Sequence, residues 1–253
     1  MTRLPTPIDV IANEYTAESA ALDPIMATEA GITGYDHLLT DYSPEGHEAR
    51  AALDQVTLDA LRRETPTDEQ DKITLAAMRD ILGLSLELFE AGEPYAELNV
   101  VASPLQYLRD VFDLMATDTV DDWTTVAARL TQVPDAVTGY IESLRMGLDV
   151  GLVPAALQVD ETIKQASELG DPASSFFVDF VRTASADVPL PDALAADLAR
   201  AGAAAAQAYA TLADFLAEHV APNAPSADAV GRERYARWSR AFVGAAVEGK
   251  RRK

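Results

Sequence analysis

Three histidines are all the imidazole this 253-residue chain carries, and it has no cysteine. Metal or base chemistry must therefore be sought around His37, His47 and His219. The run His47-Glu48-Ala49-Arg50-Ala51 opens like a zinc-binding helix, in which two histidines one turn apart flank a glutamate base. Ala51 stands where the second ligand belongs. His37 lies ten residues upstream and His219 far downstream, so only carboxylates could complete a site, with no recognisable spacing. The expectation is no metal ligand and no catalytic residue in this chain. His219 reads as a helix C-terminal histidine, favoured there by the helix dipole.

Other catalytic patterns fail sooner. Gly83-Leu84-Ser85-Leu86-Glu87 starts like a nucleophile elbow but lacks the second glycine and sits within a helical pattern. No lysine follows a glycine-rich phosphate loop. The pairs Asp121-Asp122 and Asp160-Glu161 are adjacent, and neighbouring side chains on a helix diverge too far to share a proton. They suit compensation of a helix dipole. Without cysteine there are no disulfides, thiol nucleophiles, iron–sulfur clusters or cysteine-based zinc sites.

Charge narrows the partners. Forty-one acidic residues oppose twenty basic ones, for a net charge of −21. Nucleic acid and anionic membranes would repel such a surface. The only basic cluster, Lys250-Arg251-Arg252-Lys253, is at the chain end and reads as solvated tail. The start, Met1 to Pro7, has no apolar core of a signal peptide, and the charge-free stretch Ala201–Ala213 is too short to span a bilayer. The expected location is the cytoplasm.

The elements that must position any site are helices. Ser43-Pro44-Glu45 is a helix start, and Thr67 to Gln70 reads as a capping box ahead of the stripe Leu75, Met78, Leu82, Leu86 and Phe89. Thr119 and Asp122 repeat the box, Pro134 opens a further helix, and Asp171-Pro172 marks another start. From Pro191 to Val220, the residues Leu194, Leu198, Ala201, Ala205, Ala208, Leu212 and Phe215 form a seam of coiled-coil type, thinned by Gly202 and its alanines. A last helix from about Ala227 carries Tyr235, Trp238 and Phe242, a stripe that reads as core. Only Tyr95 to Ala102 reads as extended. The predicted fold is all-α, an irregular array of about nine or ten helices with at most one short extended segment near 95–102.

Several strings resemble a known family. Asp23-Pro24-Ile25-Met26-Ala27-Thr28-Glu29-Ala30-Gly31 with Leu39-Thr40-Asp41-Tyr42-Ser43-Pro44 resembles the opening of the bacterial family called domain of unknown function 885. Asn99 to Leu105, Arg129 to Pro134, and Gly231 to Tyr235 with Trp238-Ser239 are similar to its later landmarks, in the same order. The resemblance implies a mostly helical relative of zinc peptidases, with the metal ligands and general base in a C-terminal half that has no counterpart here. Residues 1–247 would then be one helical domain, the N-terminal half, and 248–253 a tail foreign to the family. The implied role is one wall of a substrate cleft, inactive alone, with Asn99, Ser103, Arg232 and Tyr235 as candidate lining residues. The plainer roles of these four are a turn residue, a cap, an ion-pair partner and helix packing. No cofactor is expected in this chain, zinc belonging to the missing half. The expected partner is that half, or a second copy held through the final helices, whose Tyr235, Trp238 and Phe242 would otherwise be left as an exposed patch. The alternative is a self-sufficient acidic α-helical scaffold that binds a partner by a helix face.

Overall fold

A computed structural model describes the backbone of residues 3–245, and the side chains of these except 184–187. The basic run at 250–253 and the tail proposed from 248 lie outside the described residues. The protein is all-α, and no strand occurs among the described residues. Its helices are α1 (Pro7–Leu22), α2 (Pro24–Glu29), α3 (Pro44–Arg63), α4 (Glu69–Glu90), α5 (Pro104–Asp110), α6 (Val120–Leu130), α7 (Val133–Asp149), α8 (Ala156–Gly170), α9 (Phe176–Asp187), α10 (Asp192–Phe215) and α11 (Arg232–Val243).

The chain divides into two compact units, each assembled from separated stretches. One comprises residues up to Ser19, His47–Pro94 and the segment from Ala229. The other comprises Ala20–Gly46 and Tyr95–Asp228.

The second unit holds the larger core, built around α10, which packs against α6, α7, α8 and α9. The predicted seam is there, but α10 is buried on more than one face: Gly202, Ala206, Tyr209 and Ala213 are enclosed beside Leu198, Ala201, Ala205 and Leu212. A central helix needs small residues because its neighbours approach from several sides. A Cβ on Gly202 would lie 2.8 Å from the Phe177 carbonyl oxygen and 3.0 Å from Val181 Cγ2. Gly202→Ala should therefore destabilise the protein, although alanine would ordinarily gain about 1 kcal/mol in a helix interior. A thermal melt that rises on this substitution would disprove the close-approach role.

The first unit has a small apolar core, Ile8, Leu61 and Leu75 with Ile11 and Met78 against it. It leans on polar fastening instead. Thr67 is not the cap of α4. Asp68 is, accepting from the Asp71 backbone N–H at 2.8 Å, while buried Asp71 turns back to accept from the Thr67 N–H and hydroxyl. Burial pushes the Asp71 carboxyl up, but the Thr67 and Thr6 hydrogen bonds and the charge of Arg3 outweigh it and hold it at about 2.

Two other local expectations shift. Asp171-Pro172 opens a turn, with Ser174 and Ser175 N–H groups bonded back to Asp171 O, and α9 starts only at Phe176. The stretch at 95–102 is not a strand: a 3₁₀ turn, Glu93–Ala96, leads into a loop folded about Asn99. Thr119 and Asp122 do form their reciprocal capping box.

Candidate functional site

Asn99 and Ser103 meet in one loop of the second unit. The Asn99 side-chain oxygen accepts from the backbone N–H groups of Val101 (2.9 Å) and Ala102 (2.7 Å), which is an Asx-type turn. Ser103 is fully buried and caps α5 in a box with Gln106, its hydroxyl 2.7 Å from Gln106 Oε1. Three amides brace the loop: Gln106 donates to Asn99 O, Gln158 accepts from Val100 N–H, and Gln165 donates to Val100 O. Both candidates are thus committed to the backbone. The side chain the loop presents outward is Val101, 76% exposed.

Arg232 and Tyr235 lie in the first unit, on the opening turn of α11, and both face solvent. The anchoring residues are others. Glu93, 2% exposed, receives Arg234 Nε and Nη2, with Nη2 at 2.7 Å, and Trp238 Nε1 at 2.9 Å; Arg237 lies 3.5 Å away. Arg240 pairs with Glu87 on α4. The aromatic stripe is therefore not core. Trp238 is half-buried, while Tyr235 is 50% and Phe242 81% exposed. The helix is held by charge, and arginines at 234, 237 and 240 take the side where packing residues were expected.

The structure also brings together groups whose association the sequence spacing does not show. On α3 of the first unit, His47, Arg50 and Asp54 follow one face, with Arg50 Nη2 2.9 Å from His47 Nδ1. Asp54 is buried and accepts from the Tyr15 hydroxyl at 2.9 Å. Burial pushes the Asp54 carboxyl up against the pull of hydrogen bonds from Ser85 and Tyr15, and burial beside Asp54 pushes the Tyr15 phenol up as well.

In the second unit Arg129 is wholly buried on α6 and ties down the loop that follows α2. Its Nε donates to Leu38 O at 2.8 Å, and Nη2 to Thr28 Oγ1 at 2.8 Å and Tyr35 O at 3.1 Å. The nearest carboxylate, Asp36, is 4.0 Å away. Burial lowers the guanidinium pKa to about 10, opposed by Asp36. Thr28 and Asp36 also border a cleft of about 330 Å³, with Ile32, Met115, Asp122 and Thr125. Hydroxyls, two carboxylates and apolar walls could hold a small polar molecule, but the cleft has no nucleophile–base pair.

No group of three or more His, Asp or Glu side chains among the described residues is placed to hold a metal ion. No described helix is long and apolar enough to cross a membrane.

No curated protein matches the chain. Among solved structures it is similar to one described as the "putative lipoprotein from Colwellia psychrerythraea", at 16% identity and a TM-score of 0.73. The similarity takes in 97% of this chain and 47% of that one, so this chain spans about half the length of that relative. Such identity speaks for the fold alone. Sequence gives the family: residues 24–251 match the bacterial protein of unknown function DUF885, and the chain belongs to that family.

Proposed function

We propose that this chain is the non-catalytic N-terminal half of a zinc-dependent peptidase or related hydrolase, forms one wall of the substrate cleft, and is inactive alone. The observation that carries the reading is the coverage: nearly the whole chain corresponds to less than half of a longer relative. The donor set supports it, since nothing among the described residues converges as a metal site. In this reading zinc and the general base belong to the other half, Asn99 and Ser103 shape a wall by holding their loop, and Arg232 and Tyr235 face the partner half. The cytoplasm is the proposed location. A second reading, a self-sufficient acidic scaffold, draws on the well-closed core around α10.

The purified chain should retain no stoichiometric zinc after dialysis and show no chelator-sensitive peptidase activity. A catalytic site normally takes three protein ligands and a water, which the described residues do not bring together. One tightly held zinc per chain, with activity that a chelator removes and metal restores, would overturn the reading. DNA downstream of codon 253 separates the two readings: a zinc-binding helix motif encoded there favours the half-protein over the scaffold.

A further inference from the structure

Helix α4 carries two apolar faces. Leu75 and Leu82 belong to the buried one. The other runs through Ile73, Ala77, Ile81, Leu84 and Leu88, in steps of four, four, three and four, the spacing of a helix-packing seam. The second seam contains a repeat: Ala77, Asp80 and Ile81 recur seven residues later as Leu84, Glu87 and Leu88.

The two copies of the repeat are in different states. In the later copy Leu84 is buried, Leu88 is half-buried, and Glu87 is paired with Arg240 of α11, the helix that packs on α4. In the earlier copy Ile81 is 65% exposed and Ala77 and Asp80 face solvent, as does Ile73 one turn before it, at 62%. The cause lies in where α11 stops. It runs back along α4, Arg234 meeting Glu93 and Arg240 meeting Glu87, and terminates after Val243 at Gly244, whose φ of +70° ends the helix. At about 1.5 Å per residue, α11 ends three residues beyond Arg240, near the level of Leu84 and short of the earlier copy. Phe242, at that end, is exposed.

We propose that the earlier copy, Ala77, Asp80 and Ile81, with Ile73 one turn before it, is the seat of a second helix of the chemistry of α11: an amphipathic partner helix that covers the three apolar residues and sets an arginine or lysine against Asp80. Two features select this occupant. The seat continues an interface already formed on the same seam, and Asp80 holds the position that Glu87 uses to pair with an arginine. A second copy of the chain is the weaker candidate. One stripe of three small to medium side chains falls well below the roughly 1,200 Å² that stable interfaces bury, and the molecule carries a charge of −21. The inference stands apart from the proposed function, since the seat exists whether or not the occupant belongs to an enzyme.

The probe is a fluorescent synthetic peptide of residues 231–245, titrated into the full chain by anisotropy at low salt. Saturable one-to-one binding is expected. Asp80→Lys and Ile81→Glu should each weaken it at least tenfold, and because both residues are exposed the variants should fold as the parent does. Glu87→Lys should leave the affinity within twofold. Absence of binding overturns the proposal. So does a loss with Glu87→Lys but not with Asp80→Lys, which would mean that the peptide merely displaces α11. Sedimentation supplies the remaining arm: a dimer that Ile81→Glu dissociates would assign the seat to a second copy and overturn the proposed occupant.

Discussion

Replacing Arg129 by methionine is expected to destabilise its unit by about 3 kcal/mol, because buried acceptors left without donors cost roughly 1–3 kcal/mol each. The carbonyls of Leu38 and Tyr35 would lose the guanidinium, and Thr28 would lose one of its partners. Relief from burying a charge offsets part of that cost, and Arg129 Nη1 is itself buried without a partner among the described residues. At roughly 2–4 °C per kcal/mol for a chain of this size, the melting temperature should fall by roughly 6–12 °C. Lysine should rescue little, since one ammonium cannot reproduce the planar fork that reaches three oxygens. Gln132 braces the same loop by donating to His37 O at 2.6 Å, so Gln132→Ala should lower stability further when combined with Arg129→Met. A melt unchanged by Arg129→Met would remove the clamp from the account.

Glu93→Gln should release α11 while leaving the rest of the first unit folded. Removing one partner from a buried ion pair costs about 3–5 kcal/mol, and the amide would leave Arg234 without its bidentate acceptor. The loss is local, so it should register as faster hydrogen exchange over residues 232–243, by about two to four orders of magnitude at 1.4 kcal/mol per tenfold. Acid should mimic the substitution. Burial pushes the Glu93 carboxyl up, but hydrogen bonds from Arg234 and Trp238, with the Arg234 and Arg237 charges, outweigh it and hold it below its ordinary 4.5. Stability from a group whose folded pKa is depressed is present above the unfolded value and disappears as pH falls through the folded one. Attachment of α11 should therefore be complete above pH 4.5 and fail as pH falls through the lowered pKa of Glu93, read from Trp238 emission, whose indole N–H binds Glu93. In Glu93→Gln that acid transition should vanish. An α11 as protected in the variant as in the parent would show that the apolar contacts with α4 suffice.

The division of the chain into two units left no trace in its sequence. Both are discontinuous, one drawing on three separated stretches. A linker leaves a compositional mark, whereas an association between distant helices depends on faces whose partners are not written locally. Asn99 and Ser103 show the same limit at a smaller scale. Their residue types announce a turn and a cap, and the structure places them so, but the bracing glutamines come from positions up to 66 residues away.

What the sequence determined alone was the class and the local punctuation. Apolar residues at steps of three and four specify helices, and caps such as Thr119 with Asp122 specify where they start, because both act within a turn or two of chain. It determined equally that thiol chemistry is excluded, since no arrangement can supply a missing side chain. Tertiary structure alone decided what each face meets. The stripe Tyr235, Trp238 and Phe242 has the period of a core, yet α11 is turned so that its arginines reach Glu93 and Glu87, Trp238 joins them by donating to Glu93, and Tyr235 and Phe242 look outward. The seam of α4 likewise repeats without a break through Ile73, Ala77, Ile81, Leu84 and Leu88, and only the length of α11 leaves its first half bare. Amphipathic period specifies that a face is to be buried. Which partner buries it, or whether one does, depends on contacts between residues far apart in the chain.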